Sequence, residues 1–112
     1  WCQAWVATVY ARAGASGASL GTAHEAWLKW GVSKSKAGIP VGATVYTRSW
    51  SGSHGYDELG VWWNDFGHVG IYIGNGKVAS LRHGAVWIDD LTYWTNWDGW
   101  YGWGWNGGVA PW

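Results

Sequence analysis

A chain of 112 residues with seven basic and seven acidic side chains is sized for one domain spanning 1–112, with a modest core and no need of staples. Its charges do not cluster, which excludes the basic footprint of a nucleic-acid binder. Every apolar run is broken by glycine or charge short of the ~18 residues that a membrane span needs, so no membrane insertion is expected. The single cysteine cannot close an internal disulfide and lacks the sulfur partners of a structural zinc site. The opening Trp1 and Cys2 read as the start of a processed piece of a longer protein.

From Cys2 to Arg12, CQAWVATVYAR places Trp5, Val6, Val9 and Tyr10 at helical intervals, and Ala4, Ala7 and Ala11 favour helix. Gly14, Gly17 and Gly21 end that helix in a loop. A second helix is predicted over 22–30, where Thr22 and Glu25 have capping-box spacing, with Gly31 as its stop. Pro40 precedes a β-branched and aromatic stretch over 41–50 that reads as a strand. Residues 51–66 have no period and read as a long loop, a length that more often signals function than filler.

In GHVGIYIGNGKVAS, residues 67–80, two apolar runs flank Asn75-Gly76, the strongest short-range hairpin signal. LRHG over 81–84 reads as the following turn, 85–88 as a third strand, and the tryptophan-glycine segment from Thr92 as a tail with little regular pattern. Helices first and strands afterwards predict an α+β fold. The 14 tryptophans and 19 glycines are the compositional anomaly. Tryptophan suits core packing and sugar stacking alike, and packing is the simpler use in a chain with few other bulky residues.

Cys2 at a helix N-terminus sits where the helix dipole and free N–H groups enrich the thiolate. His68 at the start of a strand, after a glycine and a long loop, is placed to act as a base from a rigid support. The helix-initial WCQAWVATVYARAG, the PVGATVY strand and above all GHVGIYIGNGKVAS resemble the NlpC/P60 and CHAP superfamily of cell-wall cysteine peptidases and amidases. TAHEAWLKWG and the terminal YGWGW are similar to phage and actinobacterial lysin domains.

The resemblance implies a papain-like α+β fold, N-terminal helices packed on an antiparallel sheet, with Cys2 as nucleophile and His68 as base. It implies bacterial peptidoglycan as substrate, cut at an amide of its peptide, without cofactor or metal. It also places a polar orienting residue on the strand after the hairpin. Ser80 stands there; His83, Asp89 and Asp90 are the alternatives. The localisation that follows is extracellular or phage-delivered, and the chain is expected to be a monomer.

His24 in a helix and His54 in a loop read as surface residues, and Asp57, Glu58 and Asp65 as solvated. A zinc site from His54, Asp57, His68 and His83 lacks compact ligand spacing. The competing function is a non-catalytic, tryptophan-rich glycan-binding module built on residues 94–112.

Overall fold

The computed structural model describes residues 2–15, 17, 22–48, 55–56, 62–63, 67–82 and 84–108. For Cys2 and for the two short strands within 51–66 it describes the backbone alone. Helix α1 runs Cys2–Arg12 and helix α2 runs Ala23–Trp30. Thr22 caps α2 by accepting from the Glu25 N–H at 3.1 Å, half of the expected capping box. Gly31 ends α2 in extended rather than left-handed backbone and passes directly into a strand, β1 (Gly31–Ser33).

The other strands are β2 (Thr44–Thr47), β3 (Gly55–Tyr56), β4 (Trp62–Trp63), β5 (His68–Gly74), β6 (Lys77–Arg82), β7 (Ala85–Asp90) and β8 (Trp100–Gly104). A five-residue helix, α3 (Leu91–Thr95), separates β7 from β8. Six strands form one antiparallel sheet in the order β1-β8-β2-β5-β6-β7, and β3 pairs with β4 apart from it. Helices together with an antiparallel sheet make the fold α+β.

The β5-β6 hairpin turns at Asn75 and Gly76, whose φ of 53° and 70° are the two left-handed positions a type I′ turn demands. Three expectations are corrected by the structure. Leu81 and Arg82 continue β6 instead of forming a turn. Within the expected loop at 51–66, β3 and β4 pair. The tail from Thr92 contains α3 and β8, and β8 is an inner strand between β1 and β2.

β8 escapes a propensity reading because its glycines serve neighbours rather than the strand. A Cβ on Gly104 would lie 2.2 Å from the Trp30 carbonyl oxygen, and one on Gly102 2.2 Å from that of Ser33 and 2.6 Å from the Trp27 ring. Gly31 clears the other side of the same indole, where a Cβ would come within 2.3 Å. These absences let α2 lie close on β8, with Trp27 seated between strands.

Alternation of side chains along the strands divides the interior in two. Val69 and Ile71 of β5 and Tyr46 of β2 face the helices and pack with Val6, Tyr10, Ala26 and Trp30. On the opposite face Val45 and Val78 pack with Ile39, Ala43 and the fully buried Trp94 of α3, and Trp100, Trp103 and Trp105 close the rim. Each large side chain buried this way contributes ~1.5–3 kcal/mol. The buried phenols are satisfied: the Tyr10 hydroxyl donates to the Gly42 carbonyl, and Thr44 donates to the Tyr46 oxygen at 2.9 Å. Burial pushes the Tyr10 phenol up to about 12.

Gly102→Ala is expected to destabilise the fold by about 2–3 kcal/mol, since it overpacks against backbone that has no slack. Gly38 has φ of 70° and open space for 4 Å around the place its Cβ would take. Changing it to alanine should cost only ~1 kcal/mol, from the left-handed conformation. Urea midpoints measure the difference; equal losses at both positions would contradict the close approach of β8 to β1 and Trp27.

Candidate functional site

His68 is the first residue of β5, paired with Thr47 of β2, and is 9% exposed. The preceding Gly67 has φ of 74° and lies against the start of α2, where a Cβ would come within 2.6 Å of the His24 nitrogen. The chain therefore enters β5 through a position only glycine fills well, and that entry fixes the histidine backbone. Strand alternation turns the imidazole away from Val69 and the helical core. Its ring stacks on Trp94 with centroids 5.2 Å apart and planes at 23°.

Gly70, two residues along the same face, leaves the room for Trp94: a Cβ there would lie 3.0 Å from the indole and 2.7 Å from a Val78 methyl. Burial, and secondarily the positive charge of Arg82, lower the His68 pKa from 6.5 to about 4. The imidazole is thus neutral at physiological pH, which is the proton-accepting form.

Ser80 lies on β6 and is fully buried. The β5-β6 ladder closes at Ile71↔Ala79, one residue short of Gly70 and Ser80 and three short of His68 and Arg82. Alternation past that pair puts His68, Ser80 and Arg82 on one face, with Ser80 diagonal to the histidine. The Ser80 hydroxyl has no hydrogen-bond partner among the described residues.

Of the alternatives, His83 lies outside the described residues. Asp89 on β7 takes the Arg82 guanidinium at 2.8 Å, and Arg82 also lies 4.6 Å from the Trp87 ring centroid. Asp90 pairs with Lys77 across the β6-β7 ladder. Arg82 and Trp94 are the members of this group that a reading of the sequence passes over. The period-two pattern of KVASLR, extended through residue 82, carries a signal for Arg82; no local pattern marks Trp94.

Cys2 begins α1, and its side chain lies outside the described ones. No carboxylate stands in the first turn of that helix to oppose a thiolate. The next residue, Gln3, is 2% exposed, and its amide donates to Asn106 Oδ1 at 2.9 Å, in a short 3-10 turn (Asn106–Gly108) that follows β8. This ties the start of α1 to the end of the sheet where Gly104 pairs with Thr44. His68 pairs with the other end of β2. The described contacts therefore bring His68, Ser80 and Arg82 together and anchor the start of α1 beside Asn106.

His24, expected on the surface, is half-buried with its ring edge-on to Tyr101 at 5.4 Å. His54, Asp57, Glu58 and Asp65 lie outside the described residues. Among the described residues no three histidine, cysteine, aspartate or glutamate side chains come together as a metal site, and no helix is long and apolar enough to cross a membrane. Comparison of the chain with protein-family models, with curated proteins and with solved structures finds no match.

The depressed histidine gives a pH prediction with a definite sign. Its folded pKa lies below the unfolded value, so its contribution is fully present above pH 6.5 and is lost as pH falls from 6.5 through about 4. The loss amounts to about 3 kcal/mol at ~1.4 kcal/mol per unit. Urea unfolding at stepped pH should show this slope in the parent and a flatter one in His68→Gln. A parent whose stability is level between those limits would remove the desolvated, neutral imidazole.

Proposed function

We propose that the chain is a cysteine-dependent peptidoglycan hydrolase, cleaving an amide of the cell-wall peptide as an endopeptidase or an N-acetylmuramoyl-L-alanine amidase. The observation that carries this reading is the desolvated, neutral His68 on the first residue of β5, with the Ser80 hydroxyl on the same face of β6. It is supported by the cysteine that opens α1 and by the family resemblance of the segments holding both residues. In the proposed reaction the Cys2 sulfur attacks the scissile carbonyl while His68 takes up the thiol proton. His68 then gives that proton to the leaving amine, and a water deprotonated by the same imidazole hydrolyses the thioester.

Ser80 acts in this scheme by accepting an imidazole N–H once the ring turns towards it, a bond its hydroxyl does not make among the described residues. A hydroxyl stabilises imidazolium less than a carboxylate would, and the Arg82 charge opposes imidazolium further, so the base is a weak one that favours the neutral form. The reaction requires the Cys2 sulfur within hydrogen-bond reach of His68. The imidazole lies on the sheet face opposite α1 and at the other end of β2 from the Asn106 anchor, so the reaction requires the start of α1 or of β5 to rearrange before sulfur and ring can meet. The pairing is therefore the part of the proposal that experiment should address first.

Purified peptidoglycan digested by the parent chain should yield shortened stem peptides or peptide-free glycan by mass spectrometry, and Cys2→Ala should lower the rate about a thousandfold or more. Wall lysis at the parental rate by Cys2→Ala would sink the mechanism. Iodoacetamide alkylation followed against pH reads the pairing itself. In the parent the neutral imidazole should speed alkylation near neutral pH by accepting the thiol proton, and His68→Gln should slow it across that range. Identical profiles for the two proteins would show that the histidine does not activate the thiol.

Ser80→Ala separates an orienting role from a packing one. Removing a buried hydroxyl that lacks a partner among the described residues should leave stability within ~0.5 kcal/mol of the parent or slightly above it. If the serine holds the ring, kcat should nevertheless fall about tenfold with KM unchanged. Unchanged kcat would take Ser80 out of the site.

A further inference from the structure

Helix α3 is short, and its residues divide by side. Trp94 points inward onto His68 and Val78, while its neighbours border an open cleft of about 650 Å³. The described lining is Asp90, Thr92, Tyr93, Asn96 and Trp97. Thr92 and Asn96 are four residues apart, the spacing that sets side chains on one flank of a helical turn, and Trp97 follows in the bend beyond it. The Asn96 N–H bonds the Thr92 carbonyl at 3.0 Å and carries the turn one residue past α3. Gly99 leaves room for the Trp97 ring, since a Cβ there would come within 2.4 Å of it.

We propose that this cleft is a binding site for a neutral saccharide of one or two pyranose rings. Its volume lies within the range of small-molecule sites. A pyranose ring presents apolar C–H faces and a girdle of hydroxyls, so it needs aromatic surface together with groups that both donate and accept. Tyr93 and Trp97 supply the surface, and Tyr93 is 64% exposed for a residue of its size. The Asn96 amide and Thr92 hydroxyl donate and accept, and Asp90 accepts. Lys77 already neutralises Asp90, so the lining does not call for a cationic ligand.

This inference does not rest on the hydrolase reading, because none of its residues belongs to the Cys2, His68 and Ser80 group. The full chain labelled with ¹⁵N would be titrated with the β-1,4-linked trisaccharide of N-acetylglucosamine and, separately, with cellotriose. Trp97→Phe would assign the Trp97 indole resonance. A saturable shift of that resonance is expected; response to the amino sugar alone assigns recognition to the acetamido group, and response to both assigns it to the pyranose ring. Tyr93→Ala, an exposed position that should not disturb folding, is expected to weaken binding about tenfold. Trp87→Ala, half exposed on β7 and outside the lining, should leave it unchanged.

Cys2→Ala should bind as the parent does, so loss of hydrolysis with retained binding supports the cleft whatever becomes of the enzyme. Absence of a saturable shift with either sugar would overturn the proposal. So would equal weakening by Trp87→Ala and Tyr93→Ala.

Discussion

Both faces of the sheet around its inner strands β2 and β5 have to be kept dry, and most of the molecule is arranged to meet that constraint. β2 shows it most directly: all four of its residues are buried, because β5 and β8 flank it and cores lie above and below. Its two threonines are buried at either end of the apolar Val45-Tyr46 pair. One face is covered by α1 and α2, which the chain supplies first. Among the described residues the other is covered by Ile39 and Ala43, by the rim tryptophans and by a single five-residue helix. A helix that short covers the sheet only by carrying a large side chain, and Trp94 is that side chain.

The environment of His68 follows from this second cover. An imidazole at the start of β5 would be solvated were it not for the indole stacked on it, and the indole reaches it because Gly70 and Val78 leave a slot. Desolvation then lowers the histidine pKa, and Arg82 on the neighbouring strand adds to the effect. Arg82 is in turn held by Asp89 and by the Trp87 ring. The neutral imidazole is thus a product of packing on a face that the N-terminal helices do not touch.

How much of this was legible in the sequence depends on whether the cause was local. The hairpin at Asn75-Gly76 was legible because its two left-handed residues are a property of the turn itself. α1 and the Thr22 cap were legible for the same reason, since alanine spacing and a threonine before a glutamate act within one or two turns. β8 was not. The aromatics of Trp-Tyr-Gly-Trp-Gly favour a strand but its glycines do not, and those glycines make sense only when the Trp30 and Ser33 carbonyls and the Trp27 ring lie against them. Ser80 could be found by its place after the hairpin, whereas Arg82 was hidden by a His83-Gly84 pair that resembles the beginning of a longer turn.

The tryptophans sort by the company they keep. Where a tryptophan is paired in space with glycine backbone inside the sheet, as Trp27 is with Gly31 and Gly102, or Trp94 with Gly70, its ring replaces a missing side chain and serves packing. Trp97 also lies against a glycine, Gly99, but outside the sheet, with the Arg48 guanidinium 5.3 Å from its centroid and polar residues at helical spacing beside it. Composition alone cannot separate these uses, because both call for the same ring next to the same small residue. The distinction lies in where the ring sits: among valine and alanine side chains of the core in one case, and in the lining of a cleft shared with Asp90, Thr92 and Asn96 in the other. α3 and the turn that extends it hold one ring of each kind three residues apart, so the inward ring that shapes the histidine and the outward ring that borders the cleft are turned to different sides by the same short stretch of chain.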